Sequence, residues 1–321
     1  MQRSSVLKYI LKRLVMAIFV LFLVSVIIFI AIRLAPGDPV LNQLGPYGER
    51  TPEREAAVRA QLGLDKSYVE QYFIWIGNVF RGNFGVSLKN GRPVLDVIME
   101  KVPASLELVV LALVVSLIIA VPLGVLAAVK RNSAIDQIIS FFSTSALAIP
   151  SFCIGLVLML IFAVKLKVLP AGGYVAFSEN PAQNLKLILM PCISLALLEM
   201  ADFVRFVRSD TIEVLNANYI RTARAKGLPQ SKIYFKHAFK NILVTLITVV
   251  GLEFGTLLGG TVIIEQMFGW SGLGWLILKS VGDRDYNVVQ TAVLFISATF
   301  VVINTVVDIL YAVIDPRIKL E

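Results

Sequence analysis

Three polar side chains in the second half of the chain lie inside apolar segments, where they could bind a proton or a polar solute. Glu253 lies at the middle of one segment, and Asp308 lies in another, one helical turn after Asn304. Ionisable groups inside a membrane face the interior of the helix bundle and often mark function. They could line a polar path or hold a proton. For Asp308, one interhelical hydrogen bond that fixes packing is the better interpretation.

The segment around Glu253 also carries Gly251, Gly255 and Gly259 at intervals of four residues. On a helix these glycines form a smooth stripe that lets another helix approach closely. The stripe indicates close packing between subunits or around a path, and by itself it does not separate these alternatives.

Motifs for bond chemistry are absent from the sequence. It contains neither a Gly-x-x-x-x-Gly-Lys-Ser/Thr phosphate loop nor a His-Glu-x-x-His zinc motif. The single His237 has no second histidine with which to form a metal site. Cys153 and Cys192 fall inside apolar segments, as small buried hydrophobic residues do. We therefore expect no catalytic residue, no metal site and no cofactor bound by this chain.

A basic stretch, residues 219–241, stands between two long apolar segments. It holds six Lys and Arg residues and no acidic residue. Gly227 can end one short helix, and Pro229 can begin the next. The stretch is predicted to be a compact helix-turn-helix that docks a partner. A basic amphipathic helix lying on anionic lipid is the alternative.

The elements that carry these groups are membrane helices. Hydrophobic residues make up 57% of the chain and charged residues 16%, and the mean hydropathy is +0.79. A helix needs about 20 mostly apolar residues to span the hydrocarbon core, and it satisfies its own backbone there. The sequence therefore predicts an all-α integral membrane protein. Its six predicted spans are 14–34, 105–129, 137–164, 186–206, 242–264 and 288–313.

The distribution of basic residues predicts the orientation of these spans. Basic residues concentrate before the first span and between Arg205 and Lys240, and the short loops on the other face hold fewer. The positive-inside rule places residues 1–13 and 314–321 in the cytoplasm. Much of the net charge of +8 thus reflects membrane orientation, and it does not indicate a nucleic-acid partner.

Residues 35–104 form a loop long enough to cross the membrane regardless of its charge, so we expect an external cap. Helices are predicted to begin at Pro52 and after Ser67. The remaining five spans, residues 105–313, form the core, with the coupling loop at 207–241.

Two further local patterns favour structural roles. Near the cytoplasmic end of the fourth span, four charged residues are interpreted as local pairs along one helix: Glu199, Asp202, Arg205 and Arg208. The sequence FGWSGLGW at 268–275 is interpreted as an external turn with aromatic residues anchored at the membrane interface.

Nearly the whole chain resembles the permease subunits of binding-protein-dependent ABC importers, in the dipeptide, oligopeptide and nickel class. The resemblance rests on APGDP at 35–39, LGLD at 62–65, GNFGVSL at 82–88, GVLAAVKR at 124–131, YIRTARAKGL at 219–228, RDYNVVQ at 284–290 and NTVVDILYAVIDPRI at 304–318. The wider superfamily carries a Glu-Ala-Ala-x-x-x-Gly docking loop, which here reads Arg221-Thr222-Ala223 and ends at Gly227 without the Glu. Asn287 stands where Pro is frequent in the family.

The resemblance implies a subunit that forms half of a peptide translocation path in the bacterial inner membrane. The implied partners are a second homologous permease, two cytoplasmic ATPase subunits that bind ATP and Mg, and an external substrate-binding protein. The expected ATPase-coupling residues are Arg221, Thr222, Ala223, Arg224, Lys226, Gly227, Lys232 and Lys236. A proton-coupled secondary transporter that uses Glu253 or Asp308 is the alternative.

Overall fold

The computed structural model describes residues 2–34, 40, 51–61, 63–229, 233 and 239–314. These ranges contain helices and no β-strand, as the sequence predicts. The α-helices are α1 (Gln2–Leu34), α2 (Pro52–Gln61), α3 (Tyr68–Phe80), α4 (Val94–Met99), α5 (Val102–Val129), α6 (Ala134–Leu147), α7 (Ser151–Leu158), α8 (Pro181–Asn216), α9 (Asn218–Ala225), α10 (Phe239–Gly260), α11 (Val262–Phe268), α12 (Leu273–Gly282) and α13 (Tyr286–Ile314), and a π-helical segment, Met159–Lys165, follows α7.

Four of these segments are long and apolar enough to cross a membrane by themselves. They are α1, α4 with α5, α8 and α13. Two bent pairs, α6 with α7 and its π-helical extension, and α10 with α11, raise the number of spans to six if each pair crosses once. An all-α membrane fold is thus confirmed.

The third and fifth predicted spans are each broken by a bend that the sequence analysis does not predict. The third span bends by 96° between α6 and α7, next to Pro150. Proline has no N–H to donate, and it disfavours helical geometry at the residue before it. The fifth span bends by 51° between α10 and α11, directly after Gly259 and Gly260. Adjacent small residues are a common cause of such kinks.

The fourth span is longer than predicted. α8 has 36 residues, so it extends about 54 Å at 1.5 Å per residue, whereas the hydrocarbon core is about 30 Å thick. The helix therefore continues beyond the membrane, and residues 207–216 of the predicted coupling loop belong to it. α5 packs along α8, and side chains from both helices, among them Leu108, Leu195 and Phe203, form the main hydrophobic core.

The two predicted cap helices are confirmed as α2 and α3. Ser67 caps α3, because its Oγ accepts from the backbone N of Glu70 at 3.3 Å. The carboxylate of Glu70 accepts in return from Ser67 Oγ at 2.9 Å and from the backbone N of Ser67 at 3.0 Å, and these two hydrogen bonds to the carboxylate lower the pKa of Glu70. Tyr72 joins α3 to α1 through its 2.9 Å hydrogen bond with Ser25. Residues 35–50 of the predicted cap, apart from Val40, lie outside the described residues.

The segment FGWSGLGW turns back into the protein, so its interpretation as a set of interface anchors is wrong for Trp270. This side chain is fully buried, and its Nε1 donates to the carbonyl of Ala104 at 2.8 Å. Its ring meets Tyr174 edge to face, with centroids 4.8 Å apart. The bend between α10 and α11 brings the turn against the start of α5, where the indole fills the core.

Candidate functional site

The short helix α9 is attached to the end of the long helix α8. A single residue, Ala217, separates the two helices and adopts an extended conformation with φ −65° and ψ 148°. Ile220 and Ala223 are buried on one side of α9 and cluster with Leu228 and Ile233. These apolar contacts pack one side of α9 against the chain that follows it and leave the other side exposed.

The open side of α9 is basic. Of the expected coupling residues, Ala223 belongs to the buried side, and Lys232 and Lys236 lie outside the described residues. The exposed ones are Arg221, Thr222, Arg224 and Lys226. No acidic residue occurs in α9, so this surface suits an acidic partner.

Gly227 ends α9 in the left-handed conformation, with φ +73°. Its backbone N donates to the carbonyl of Arg224 at 3.0 Å, and the next residue, Leu228, donates to Ala223 at 3.3 Å. A Cβ on Gly227 would meet no atom within 4 Å. The requirement for glycine is therefore set by backbone conformation and not by space.

An ion pair joins α8 to α6. Arg208 donates from Nε to Oδ1 of Asp136 at 2.6 Å and from Nη2 to Oδ2 at 2.9 Å. Asp136 is buried and also accepts from the backbone N of Asn132. The local pairing expected for Arg208 is thus wrong, whereas Asp202 and Arg205 do form a pair along α8 at 3.8 Å. The bidentate contact thus fixes the start of α6 against α8.

Two glycines of the predicted stripe contact α13 of the same chain. A Cβ on Gly255 would lie 2.6 Å from Cδ2 of Phe300, and a Cβ on Gly251 would collide with Val307. At Gly259 a Cβ would meet nothing within 4 Å. The close approach therefore occurs within the chain at the first two positions, and the surface at Gly259 is open.

The ionisable groups of the predicted path lie in different surroundings. Glu253 is partly buried on α10 and has Glu199 and Asp202 of α8 as electrostatic neighbours. Asp308 pairs with Arg13 of α1 at 2.8 Å, which is an interhelical contact of the expected kind. The buried Oδ1 of Asn304 has no hydrogen-bond partner among the described residues. Among the residues that the structure describes, no group of three His, Cys, Asp or Glu side chains is arranged for a metal.

The sequence interpretation missed Glu265, which is fully buried in α11. Its carboxylate accepts from Ser105 Oγ at 2.6 Å, from Thr261 Oγ1 at 3.0 Å and from the backbone N of Trp275 at 3.0 Å. Ser105 Oγ also accepts from the backbone N of Leu273 at 2.7 Å. Glu265 and Ser105 together cap the N-terminus of α12. A lone acid in the apolar run VIIEQMF, one residue beyond the predicted span, was the available signal.

Two protein families together match most of the chain. The family described as binding-protein-dependent transport system inner membrane component matches residues 120–320. The N-terminal family of the same transport-system membrane components matches residues 6–109.

Individual relatives match over nearly their full lengths. The chain is 39% identical to the oligopeptide transport system permease protein AppB of Bacillus subtilis (strain 168), covering 97% of this chain and 99% of that protein. It is 37% identical to the glutathione transport system permease protein GsiC of Escherichia coli (strain K12), covering 98% and 99%. It is also 37% identical to the probable peptide ABC transporter permease protein y4tP of Sinorhizobium fredii, covering 97% and 99%.

A solved structure of the MetNI methionine ABC transporter in an inward-facing conformation shares the fold. The superposition has a TM-score of 0.55 at 18% sequence identity, and it covers 70% of this chain and 98% of that chain. The chain therefore belongs to the family of inner membrane components of binding-protein-dependent transport systems, as a non-catalytic permease subunit of an ABC importer.

Proposed function

We propose that this chain forms half of the translocation path of a peptide importer and that α9 receives the motion of a cytoplasmic ATPase subunit. The peptide class is supported by relatives that are named for peptide, oligopeptide and glutathione transport. The coupling role rests on one observation above all. Ile220 and Ala223 pack with Leu228 and Ile233 of the chain that follows α9, while the basic side of α9 stays open to a partner.

The route of motion through the protein is short. α9 follows α8 after one residue, so a displacement of α9 is applied directly to the end of a helix about 54 Å long. Arg208 and Asp136 pass this displacement to α6, and the packing of α5 along α8 passes it into the core. Rigid movement of packed helices is an established way to open and close a path.

The remaining partners follow from the family and from charge. A second homologous permease completes the path, two ATPase subunits bind ATP and Mg, and a substrate-binding protein delivers peptide on the cap side. Both termini lie in the cytoplasm, in agreement with the basic residues around α9. The side chain of Asp202 is 49% exposed along α8. Because a charge avoids hydrocarbon, this face of α8 lines the path or meets the second permease.

The proton-coupled alternative gains no support from the family. One of its two candidate groups, Asp308, is paired with Arg13. Glu253 is then the remaining candidate for an acid that lines the path.

Uptake by the complete importer in liposomes tests the proposal. Labelled dipeptide and binding protein are placed on one side, and ATP on the side of the ATPase subunits. We expect uptake that requires hydrolysable ATP and persists when a protonophore removes the proton gradient. Uptake that continues with a non-hydrolysable ATP analogue and collapses with the protonophore would establish the proton-coupled alternative.

A further inference from the structure

A cavity of about 370 Å³ opens where the start of α5 faces α12, at the cap-side end of the bundle. Its lining is rich in basic side chains around one indole ring. The residues that matter here are Lys89, Arg92, Lys101, Trp275 and Lys279. The volume lies within the range of small-ligand sites, about 300–1,000 Å³.

Two lysines share the indole of Trp275. The Nζ atom of Lys279 lies 4.4 Å from the ring centroid, and that of Lys101 lies 5.6 Å away. Lys101 also donates to Ser271 Oγ at 2.7 Å. Within the described residues, neither lysine forms an ion pair with a carboxylate. Two ammonium groups at one ring repel each other, and an anion between them would turn this repulsion into attraction.

The carboxylates around this cavity already have other partners. Glu100 forms a bidentate pair with Arg92, and Asp283 pairs with Lys89. Asp285 is buried and accepts from Ser87 Oγ and from the backbone N of Leu88. The charges are thus divided so that Lys101 and Lys279 stay available to an anion from outside the chain.

The backbone that carries Trp275 is held by hydrogen bonds. The backbone N of Trp275 donates to the buried carboxylate of Glu265 at 3.0 Å, and Ser105 binds both Glu265 and the first turn of α12. This backbone holds the indole of Trp275 beside the cavity that Lys101 and Lys279 also line, so the ring need not be ordered on binding.

We infer that Lys101, Lys279 and Trp275 form a binding site for the C-terminal carboxylate of a peptide as it enters the path. The inference rests on the proposed function for its choice of substrate. A small concave cavity favours a solute carboxylate over an acidic surface of the binding protein, because protein interfaces of standard size bury about 800 Å² on each partner. Two ammonium groups and an aromatic face in one cavity suit the carboxylate and the last side chain of a peptide.

The test uses the assembled importer in nanodiscs without its binding protein, with the intrinsic fluorescence of Trp275 as the signal. Alanyl-alanine should give a saturable change, and its C-terminal amide should bind at least about tenfold more weakly. The change should disappear in Trp275→Phe. Lys101→Gln and Lys279→Gln should each weaken binding by about tenfold or more, whereas Lys279→Arg keeps the charge and should retain binding. The matched control, Lys165→Gln, removes an exposed lysine outside the cavity and should bind like the parent.

Three outcomes would overturn the inference. The first is equal binding of the free dipeptide and its amide, and the second is an unchanged affinity in both lysine-to-glutamine variants. The third is a signal that appears only when the binding protein is added, which would assign the lysines to protein docking. Uptake of the same dipeptide by the complete importer is measured in parallel. Normal uptake without a carboxylate-dependent signal rejects the site alone, whereas absence of peptide uptake rejects the proposed function.

Discussion

Replacement of Gly255 by alanine tests the packing of α10 against α13. The added Cβ would lie 2.6 Å from Cδ2 and 3.1 Å from Cε2 of Phe300. Carbon atoms in contact prefer about 3.5–4.0 Å, so the ring or the helix must move by about 1 Å. Overpacking of this kind costs about 1–3 kcal/mol. Gly259→Ala is the matched control on the same helix, because its Cβ would meet nothing within 4 Å.

The assay is the midpoint of thermal inactivation of the purified importer, together with the recovery of intact complex. We expect Gly255→Ala to lower the midpoint and Gly259→Ala to leave it near the parent value. Phe300→Ala removes the colliding ring, so the double variant should be more stable than the sum of the two single effects predicts. Equal midpoints for the two glycine variants, or strictly additive effects in the double variant, would refute the contact between α10 and α13.

Substitutions at three further residues address the buried polar contacts. Glu265→Gln can place an amide N–H against the donor N–H of Trp275, and we expect a loss of about 1–3 kcal/mol, seen as a lower thermal midpoint. Arg208→Ala should cost about 1–3 kcal/mol in the same assay, because it leaves the buried carboxylate of Asp136 without its cation. Arg208→Lys should recover only part of this loss, since lysine cannot form the bidentate contact. Trp270→Phe removes the donor to the carbonyl of Ala104, and we expect faster proteolysis of the turn at residues 268–275.

Much of the helical framework follows from the sequence because a long apolar run in a membrane has few alternatives to a helix. The third span shows where this reasoning fails. Pro150 is visible in the sequence, but the apolar residues on both sides of it also fit one continuous span, so the hydropathy pattern does not indicate the 96° bend. The predicted fourth span ends at Phe206, whereas the helix continues beyond the apolar run and reaches Asn216.

Only part of the candidate site could be predicted from the sequence. The end of α9 at Gly227 was predictable, since it depends on the backbone of one turn. Arg208 and Asp136 are 72 residues apart, and Glu265 and Ser105 are 160 apart. Spacing along one helix carries no information about such partners, because the folded positions of two helices bring them together.

Gly227→Val most directly tests the proposed transmission of ATPase motion through α9. A left-handed conformation costs an L-residue about 1–2 kcal/mol, and Gly63→Val imposes the same strain in the cap, where φ is +66° and a Cβ would also meet nothing. Gly227→Asn is the rescue variant, because asparagine tolerates this conformation.

The measurement is ATP hydrolysis stimulated by substrate-loaded binding protein, with the importer in liposomes that lack anionic lipid. We expect Gly227→Val to insert and assemble normally but to lose stimulated hydrolysis and uptake together. Gly63→Val and Gly227→Asn should keep both activities. Normal stimulated hydrolysis and uptake in Gly227→Val would contradict the claim that α9 couples the ATPase to the path.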